Sequence, residues 1–126
     1  MFNKPGISKV TAGAPVQILF NVQNQMSVSA VVSAAAGVVV GGKKIVKAGT
    51  PVTGDLTART TAFTAAGEGD AVGVLLHDVD VTNGDGNASV LIWGFVNLNR
   101  VEADVAAKIT DGVKTALKGS VWFLKD

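Results

Sequence analysis

Residues 88–98 read ASVLIWGFVNL, which is almost unbroken apolar sequence between Val90 and Val96. A half-exposed strand alternates apolar and polar residues, so a run without alternation predicts a strand that is buried on both faces. In a chain of 126 residues, we expect the core to cover one face and another subunit to cover the other. The residues predicted to lie at that interface between copies are Val90, Ile92, Trp93 and Phe95.

The rest of the chain also favours strands and turns. Val and Ala dominate the apolar residues, Gly occurs 15 times and Tyr is absent; branched Val side chains favour pleated strands. Towards the end of the chain, the spacing of Val101, Val105 and Ile109 by four predicts a helix face. A second short helix and a final strand, SVWFL, follow. The sequence therefore predicts a mainly β fold, resembling a small β-barrel or β-sandwich, with short C-terminal helices.

The first 25 residues differ from the remainder, and we expect an extended N-terminal arm (1–25) followed by a β-rich domain (26–126). Pro5 and Pro15 interrupt any helical pattern, and VQILFNV, from Val16 to Val22, alternates as a strand does. Residues 1–54 hold five lysines and no acid (+5), whereas residues 55–126 hold ten acids and six bases (−4). The basic half suggests an acidic partner surface.

Several partner classes are not predicted. The lysines form no dense patch and no aromatic ladder accompanies them, so nucleic-acid binding is not expected. The most apolar stretch, 30–40, is too short to span a bilayer. The first ten residues lack the apolar core of a signal peptide. We therefore expect neither a membrane partner nor export by that route.

Residues Gly37 to Lys44 read GVVVGGKK, one residue short of a phosphate-binding P-loop. That loop requires Ser or Thr at the position of Lys44, and a helix must follow it. Three valines favour extended backbone, and the sequence after Lys44 predicts a strand and a turn. The stretch therefore predicts a β-hairpin with a Gly41-Gly42 turn.

No catalytic, cofactor-binding or metal-ligating residues are predicted. His77 is the only histidine and Cys is absent, so nucleophilic catalysis would need His77 as its base. Its neighbour Asp78 points to the opposite face if both lie on a strand. The run DVDVTNGDGN from Asp78 to Asn87 lacks the spacing of an EF-hand loop. A turn is the preferred interpretation of this run, with a looser calcium-binding loop as an alternative.

Four motifs in order resemble the head-decoration proteins of tailed bacteriophages, of the lambda type and its relatives called head fibre proteins. They are an A-V-G-V-L strand at 71–75, a polar loop at 82–87, a strand ending in G-F-V at 94–96 that leads into a helix, and a small-residue turn at 118–119 before the last strand. The resemblance covers about the last 80 residues. Residues 1–35 do not contribute to it.

The resemblance implies a structural protein that is not an enzyme and needs no cofactor. Such proteins form homotrimers at local three-fold positions on the outer capsid surface, after synthesis in the host cytoplasm, and they stabilise the shell through the major capsid protein. We expect the arm to contact the capsid as an extended strand. The residues predicted to make this contact are Phe2, Lys4, Lys9, Val16, Ile18 and Phe20.

Two other functions remain as alternatives. One is another virion component, such as a tail or neck subunit. The other is a ligand- or carbohydrate-binding β-domain, a class that usually displays aromatic platforms. Trp93 and Trp122 both lie in strongly apolar strands, which predicts that they belong to the core rather than to such a platform.

Overall fold

The computed structural model describes residues 17–19, 23, 25–67 and 69–125. The described chain is mainly β with two short helices, which confirms the predicted fold class. The strands are β1 (Met26–Val32), β2 (Val38–Val40), β3 (Lys43–Val46), β4 (Pro51–Thr53), β5 (Thr64–Ala65), β6 (Gly73–Leu75), β7 (Val79–Asp80), β8 (Gly86–Asn97) and β9 (Val121–Leu124). The helices are α1 (Ala103–Ala106) and α2 (Asp111–Ala116), and one-turn 3₁₀ helices occupy Ala34–Ala36 and Leu98–Arg100.

The strands form two sheets arranged around β8. The larger sheet has the order β1-β8-β6-β4-β5, and β9 pairs with the C-terminal part of β8, past the two residues that pair with β6. The smaller sheet has the order β2-β3-β7. All pairs are antiparallel except β8–β9, which is parallel. Parallel neighbours need a crossover connection, and residues 98–120, which include both helices, supply it.

Both faces of β8 are buried, as the apolar run predicts, but the chain itself covers them. Val90 is fully buried in one apolar cluster, with Val32, Phe63 and Leu75. The next residue, Leu91, is fully buried in a second cluster with members from the C-terminal helices. Neighbouring strand residues point to opposite faces, so two intramolecular cores enclose this part of β8. The expectation that another subunit covers one face therefore does not apply at Val90 and Leu91.

A β-bulge interrupts β8 after Leu91. Ser27 lies opposite Leu91, whereas the preceding residue, Met26, lies opposite Trp93, so β8 carries one extra residue at Ile92. An extra residue exchanges the faces to which later side chains point. Leu91 and Val96 consequently belong to the same buried cluster although they are five positions apart. Trp93 and Phe95 point to the other side.

The predicted hairpin at 38–47 is confirmed. β2 and β3 pair across Gly41 and Gly42, whose φ angles of 57° and 82° match a type I′ turn that requires positive φ at both positions. The chain bends at Leu76 and His77, so that β6 and β7 join different sheets. The polar loop at 82–87 does not form a hairpin, since β7 pairs with β3 and not with β8.

The C-terminal helices form where the sequence predicts them. Val101, Val105 and Ile109 are all buried in one cluster, although α1 is only four residues long. The Thr110 hydroxyl caps α2 by accepting a hydrogen bond from the Val113 amide at 3.4 Å. Gly119, at φ 84°, allows the tight turn into β9. The two helices cover the core face of the β8–β9 pair.

The described part of the predicted arm packs on the domain. Ile18 and Leu19 are both buried in the cluster that contains Val96. Leu19 forms an antiparallel bridge with Val96, and the Asn97 amide donates to the Ile18 carbonyl at 2.8 Å. Residues 17–19 therefore continue the sheet on the edge of β8 opposite β9. The other arm residues predicted to contact a capsid, Phe2, Lys4, Lys9, Val16 and Phe20, lie outside the described residues.

Candidate functional site

Three aromatic rings lie together where β8 and β9 run side by side. Phe95 is opposite Trp122 in the parallel pair, so the two side chains project from the same face and stack with their centroids 5.0 Å apart. The Trp93 ring meets both of them edge-on, with its centroid 6.0 Å from that of Phe95 and 6.1 Å from that of Trp122. Both geometries are favourable for aromatic pairs. The rings therefore hold one another in place.

This cluster is on the surface. Trp93 is 40% exposed, Trp122 is 37% exposed and Phe95 is half-buried. Met26 lies opposite Trp93 on β1 and is 59% exposed, and Leu124 on β9 is 40% exposed. We call these five residues the aromatic face. Contiguous apolar surface of this kind often marks a site of interaction with another protein.

The prediction that Trp93 and Trp122 belong to the core is wrong. The apolar run was correctly recognised as a strand, but the bulge at Ile92 turns Trp93 and Phe95 away from the helices. Val96 and Val121 take the core positions in their place. Sequence alternation alone does not reveal which residue of a strand is inserted, because the bulge depends on the register with β1.

The predicted interface residues fall into two groups. Trp93 and Phe95 lie on the aromatic face, and the half-buried Ile92 packs against the cluster around Val90. Val90 itself is fully buried inside the chain, so its side chain has no surface to offer a partner. Met26, Trp122 and Leu124 were not among the predicted interface residues. The alternation of Trp122 and Leu124 in SVWFL was a usable signal, but only the parallel pairing places them beside Phe95.

The exposed rings bear on the alternative of a carbohydrate-binding domain, a class that usually displays aromatic platforms. A sugar-binding platform presents a ring face to solvent. Here Phe95 and Trp122 lie nearly parallel, at 19°, and each turns one face towards the other. Trp93 stands at 74° to Phe95 and 87° to Trp122. Both tryptophans are nevertheless exposed, so a ligand- or carbohydrate-binding domain remains an alternative.

Lysines border one side of the aromatic face. A shallow depression of about 160 Å³ beside Trp122 is lined by Lys114 and Lys118 together with Val121 and Phe123. No ion pair within the described residues involves either lysine. A partner on the aromatic face would therefore meet an apolar centre with positive charge at its margin.

Three carboxylates in the run 78–87 accept hydrogen bonds within the fold. The Asp78 carboxylate accepts a hydrogen bond from the Ala48 amide at 2.7 Å, and Asp85 accepts one from the Ala34 amide at 2.8 Å. Hydrogen bonds from the Thr82 hydroxyl and amide lower the pKa of Asp80. No group of three potential metal ligands occurs among the described residues. These carboxylates fix loops to the two sheets.

Lys47 forms the ion pairs found in the described part of the chain. Its Nζ lies 2.9 Å from Asp104 Oδ2 and 3.1 Å from Glu102 Oε1. These hydrogen bonds, that of Asp104 first, raise the pKa of Lys47, and the same contact lowers the pKa of Asp104. The pairs tie the end of β3 to the start of α1. These ion pairs stabilise the fold, and they involve no residue of the aromatic face.

No protein-family model matches the chain, and no curated protein is significantly similar to it in sequence. Within the described residues, no helix combines the length and apolar character that crossing a membrane demands. The aromatic face is therefore the feature on which a functional proposal rests.

Proposed function

We propose that this protein is a structural virion component that decorates and stabilises the outside of a tailed-bacteriophage capsid as a homotrimer. The observation that carries the proposal is the aromatic face, a rigid apolar surface left exposed by a single chain. The sequence resemblance to head-decoration proteins supports the same assignment. A tail or neck subunit remains the alternative within virion proteins.

The aromatic face suits association between copies. A large aromatic ring can bury about 250 Å², and each tryptophan of the face is about 40% exposed. Each therefore retains roughly 100 Å² of accessible surface. Burying that area is worth about 2.5 kcal/mol per ring at 25 cal/mol per Å². In a cyclic trimer each copy presents one surface to the next. The face then supplies the apolar centre of the contact, and the lysines beside Trp122 lie at its polar rim.

The capsid contact in this proposal belongs to the N-terminal region and its partner is the major capsid protein. Strand pairing would provide main-chain hydrogen bonds, with Phe2, Val16 and Phe20 as apolar anchors and Lys4 and Lys9 as cations. Ile18 is not among these anchors, because it is buried in the protein's own core. Three copies would act together, which multiplies avidity by roughly 10²–10⁴.

Sedimentation equilibrium tests the assembly step. The expected mass is three times 12.8 kDa, and it should fall towards the single-chain value on dilution. Trp93 and Trp122 are the only tryptophans and Tyr is absent, so intrinsic fluorescence reports on the face directly. The emission should move to longer wavelength as the oligomer dissociates. A single-chain mass at all concentrations, with exposed tryptophans, would contradict the proposal.

Immunogold labelling of virus particles tests the location. Antibodies against the protein should label the outside of DNA-filled heads, and label on tails or necks would favour the alternative virion role. A variant lacking residues 2–16 should fold and form trimers but fail to bind heads stripped of the protein. The deletion ends at Val16 because Ile18 and Leu19 belong to the core. Undiminished binding by this variant would place the capsid contact in the folded domain.

A further inference from the structure

Asn83 precedes Gly84 in the exposed turn between β7 and β8. The chain has seven asparagines, and this is the only one that a glycine follows. The backbone nitrogen of the residue after an asparagine lies within reach of the side-chain carboxamide carbon, and reaction between such neighbouring groups is favoured by proximity. A glycine has no Cβ to obstruct their approach. The pair therefore has the composition of a site for spontaneous chemical modification.

The Asn83 side chain is free to adopt the geometry that this reaction needs. It is exposed, and its carboxamide makes no hydrogen bond to the described part of the chain. Exposed side chains without partners change rotamer rapidly. By contrast, Asn97 is only 2% exposed, and its carboxamide oxygen accepts a hydrogen bond from the Asn99 amide at 3.0 Å. The fold thus immobilises one asparagine and leaves the other mobile.

The backbone at Gly84 offers weak resistance to the same reaction. Its amide donates to the Val81 carbonyl at 3.2 Å, the upper end of the usual range for such bonds, and this bond must open before the nitrogen can attack. A Cβ built on Gly84 would meet nothing within 4 Å, so no packing fixes the residue. Exposed loop bonds of this kind open locally at low cost in free energy. The hydrogen bond should therefore slow the reaction without preventing it.

An acidic residue precedes glycine at two other places in the sequence, where the fold holds both partners. The Asp85 carboxylate accepts a hydrogen bond from the backbone of the first 3₁₀ helix at 2.8 Å. The next residue, Gly86, begins β8, and a Cβ there would lie 2.6 Å from a neighbouring methyl carbon. Asp111 and Gly112 both lie in α2, whose helical backbone fixes their dihedral angles. Neither place has the freedom of the turn at Asn83.

We propose that Asn83 is a site of spontaneous deamidation in the folded protein. The Gly84 nitrogen loses its proton to hydroxide and forms a bond to Cγ of Asn83. The carboxamide C–N bond breaks, and the amino group takes a proton from water and leaves as ammonia. Water then opens the succinimide ring at one of its two carbonyl groups, which gives aspartate or isoaspartate. Each conversion adds one carboxylate, so the formal net charge of +1 falls to zero.

The isoaspartate product changes the attachment of the turn to the two sheets. The Thr82 hydroxyl accepts a hydrogen bond from the Lys44 amide at 2.9 Å, and Asp85 accepts one from the Ala34 amide. In isoaspartate the side-chain methylene becomes part of the main chain, so the backbone between these two anchors is one atom longer. One anchor must shift relative to the other. The modified protein should therefore unfold at a lower urea concentration than the unmodified protein.

Ageing the full-length protein at mildly alkaline pH tests the proposal. Protein isoaspartyl methyltransferase with labelled S-adenosylmethionine measures the total isoaspartate, and isoelectric focusing measures the more acidic form. Mass spectrometry of the tryptic peptide 60–100, which contains four of the seven asparagines, locates the change. A synthetic peptide of residues 81–87 gives the rate without the fold. The folded protein should react no more than about tenfold more slowly than the peptide, which is the cost of opening one hydrogen bond of ordinary net strength.

Two variants show which side chain reacts. Asn83→Gln should remove the isoaspartate signal, because a glutamine would have to form a larger ring. Asn87→Gln is the matched control, since Asn87 is also exposed but precedes an alanine in β8, and it should age as the wild type does. The proposal is overturned if the peptide reacts and the folded protein does not, if neither reacts, or if the conversion falls mainly on a residue other than Asn83.

Discussion

Replacing Trp122 with alanine removes the ring that joins β9 to β8 in the aromatic face. Trp122 is 37% exposed, which leaves about 90 Å² of a ring of roughly 250 Å² for a partner to bury. At 25 cal/mol per Å² this area is worth about 2 kcal/mol per subunit. We therefore expect each contact in the proposed trimer to weaken roughly 30-fold.

The same substitution also affects the single chain. The stacked contact with Phe95 is lost, together with the buried two-thirds of the ring, and the free energy of unfolding should fall by about 3–4 kcal/mol. A second variant, Leu124→Glu, separates the two effects. It keeps all three rings and places a charge on the exposed aliphatic position of the face, so it should disrupt association while the domain stays folded.

The assay combines sedimentation equilibrium with urea unfolding, so that association and folding are measured on the same samples. Val39→Ser is the matched control, because Val39 is 78% exposed but lies on the β2–β3 hairpin away from the rings. It should leave the oligomer mass unchanged. The reasoning is refuted if Leu124→Glu and Trp122→Ala both associate as the wild type does, or if Val39→Ser dissociates the oligomer equally.

Three substitutions test the fold that positions these surfaces. Gly73→Ala should destabilise the protein by about 1–3 kcal/mol in urea unfolding, because a Cβ there would lie 2.4 Å from a β8 carbonyl oxygen; an unchanged midpoint would show that β6 and β8 pack less closely. Gly41→Asn should be tolerated at φ 57°, whereas Gly42→Val at φ 82° should cost about 1–2 kcal/mol, and equal unfolding midpoints would argue against the type I′ turn. Lys47 lowers the pKa of Asp104 below 3.8, so the stability from this pair is present above that pH and is lost as pH falls through the lower folded pKa. Lys47→Met should flatten that part of the stability–pH curve, and an unaltered curve would exclude the pair as its cause.

Local patterns predicted the elements of the fold well. Three consecutive valines before two glycines predict a hairpin, and the spacing of Val101, Val105 and Ile109 places a helical segment against the core. These features depend on backbone preferences within a few residues. The segment 57–63 shows the limit of such patterns, since its threonines and Phe63 suggest a strand but most of it is turn. Phe63 is held by its burial and by hydrogen bonds to β1 rather than by a strand of its own.

The candidate site was only partly predictable, because it depends on pairing between distant segments. Trp93 and Phe95 were assigned to an interface from the apolar run alone. The addition of Trp122 requires the parallel register of β9 on β8, and the exposure of Trp93 requires the bulge at Ile92.

The parallel pairing of β9 also determines when the aromatic face comes into existence. β9 follows a crossover of 23 residues, from Leu98 to Ser120, and is synthesised after every other described strand. Until it docks, Trp93 and Phe95 lack the ring that fixes their orientation. A chain in which β9 has not yet docked therefore lacks the finished face. Folding of the crossover and docking of β9 therefore precede any contact made through all three rings.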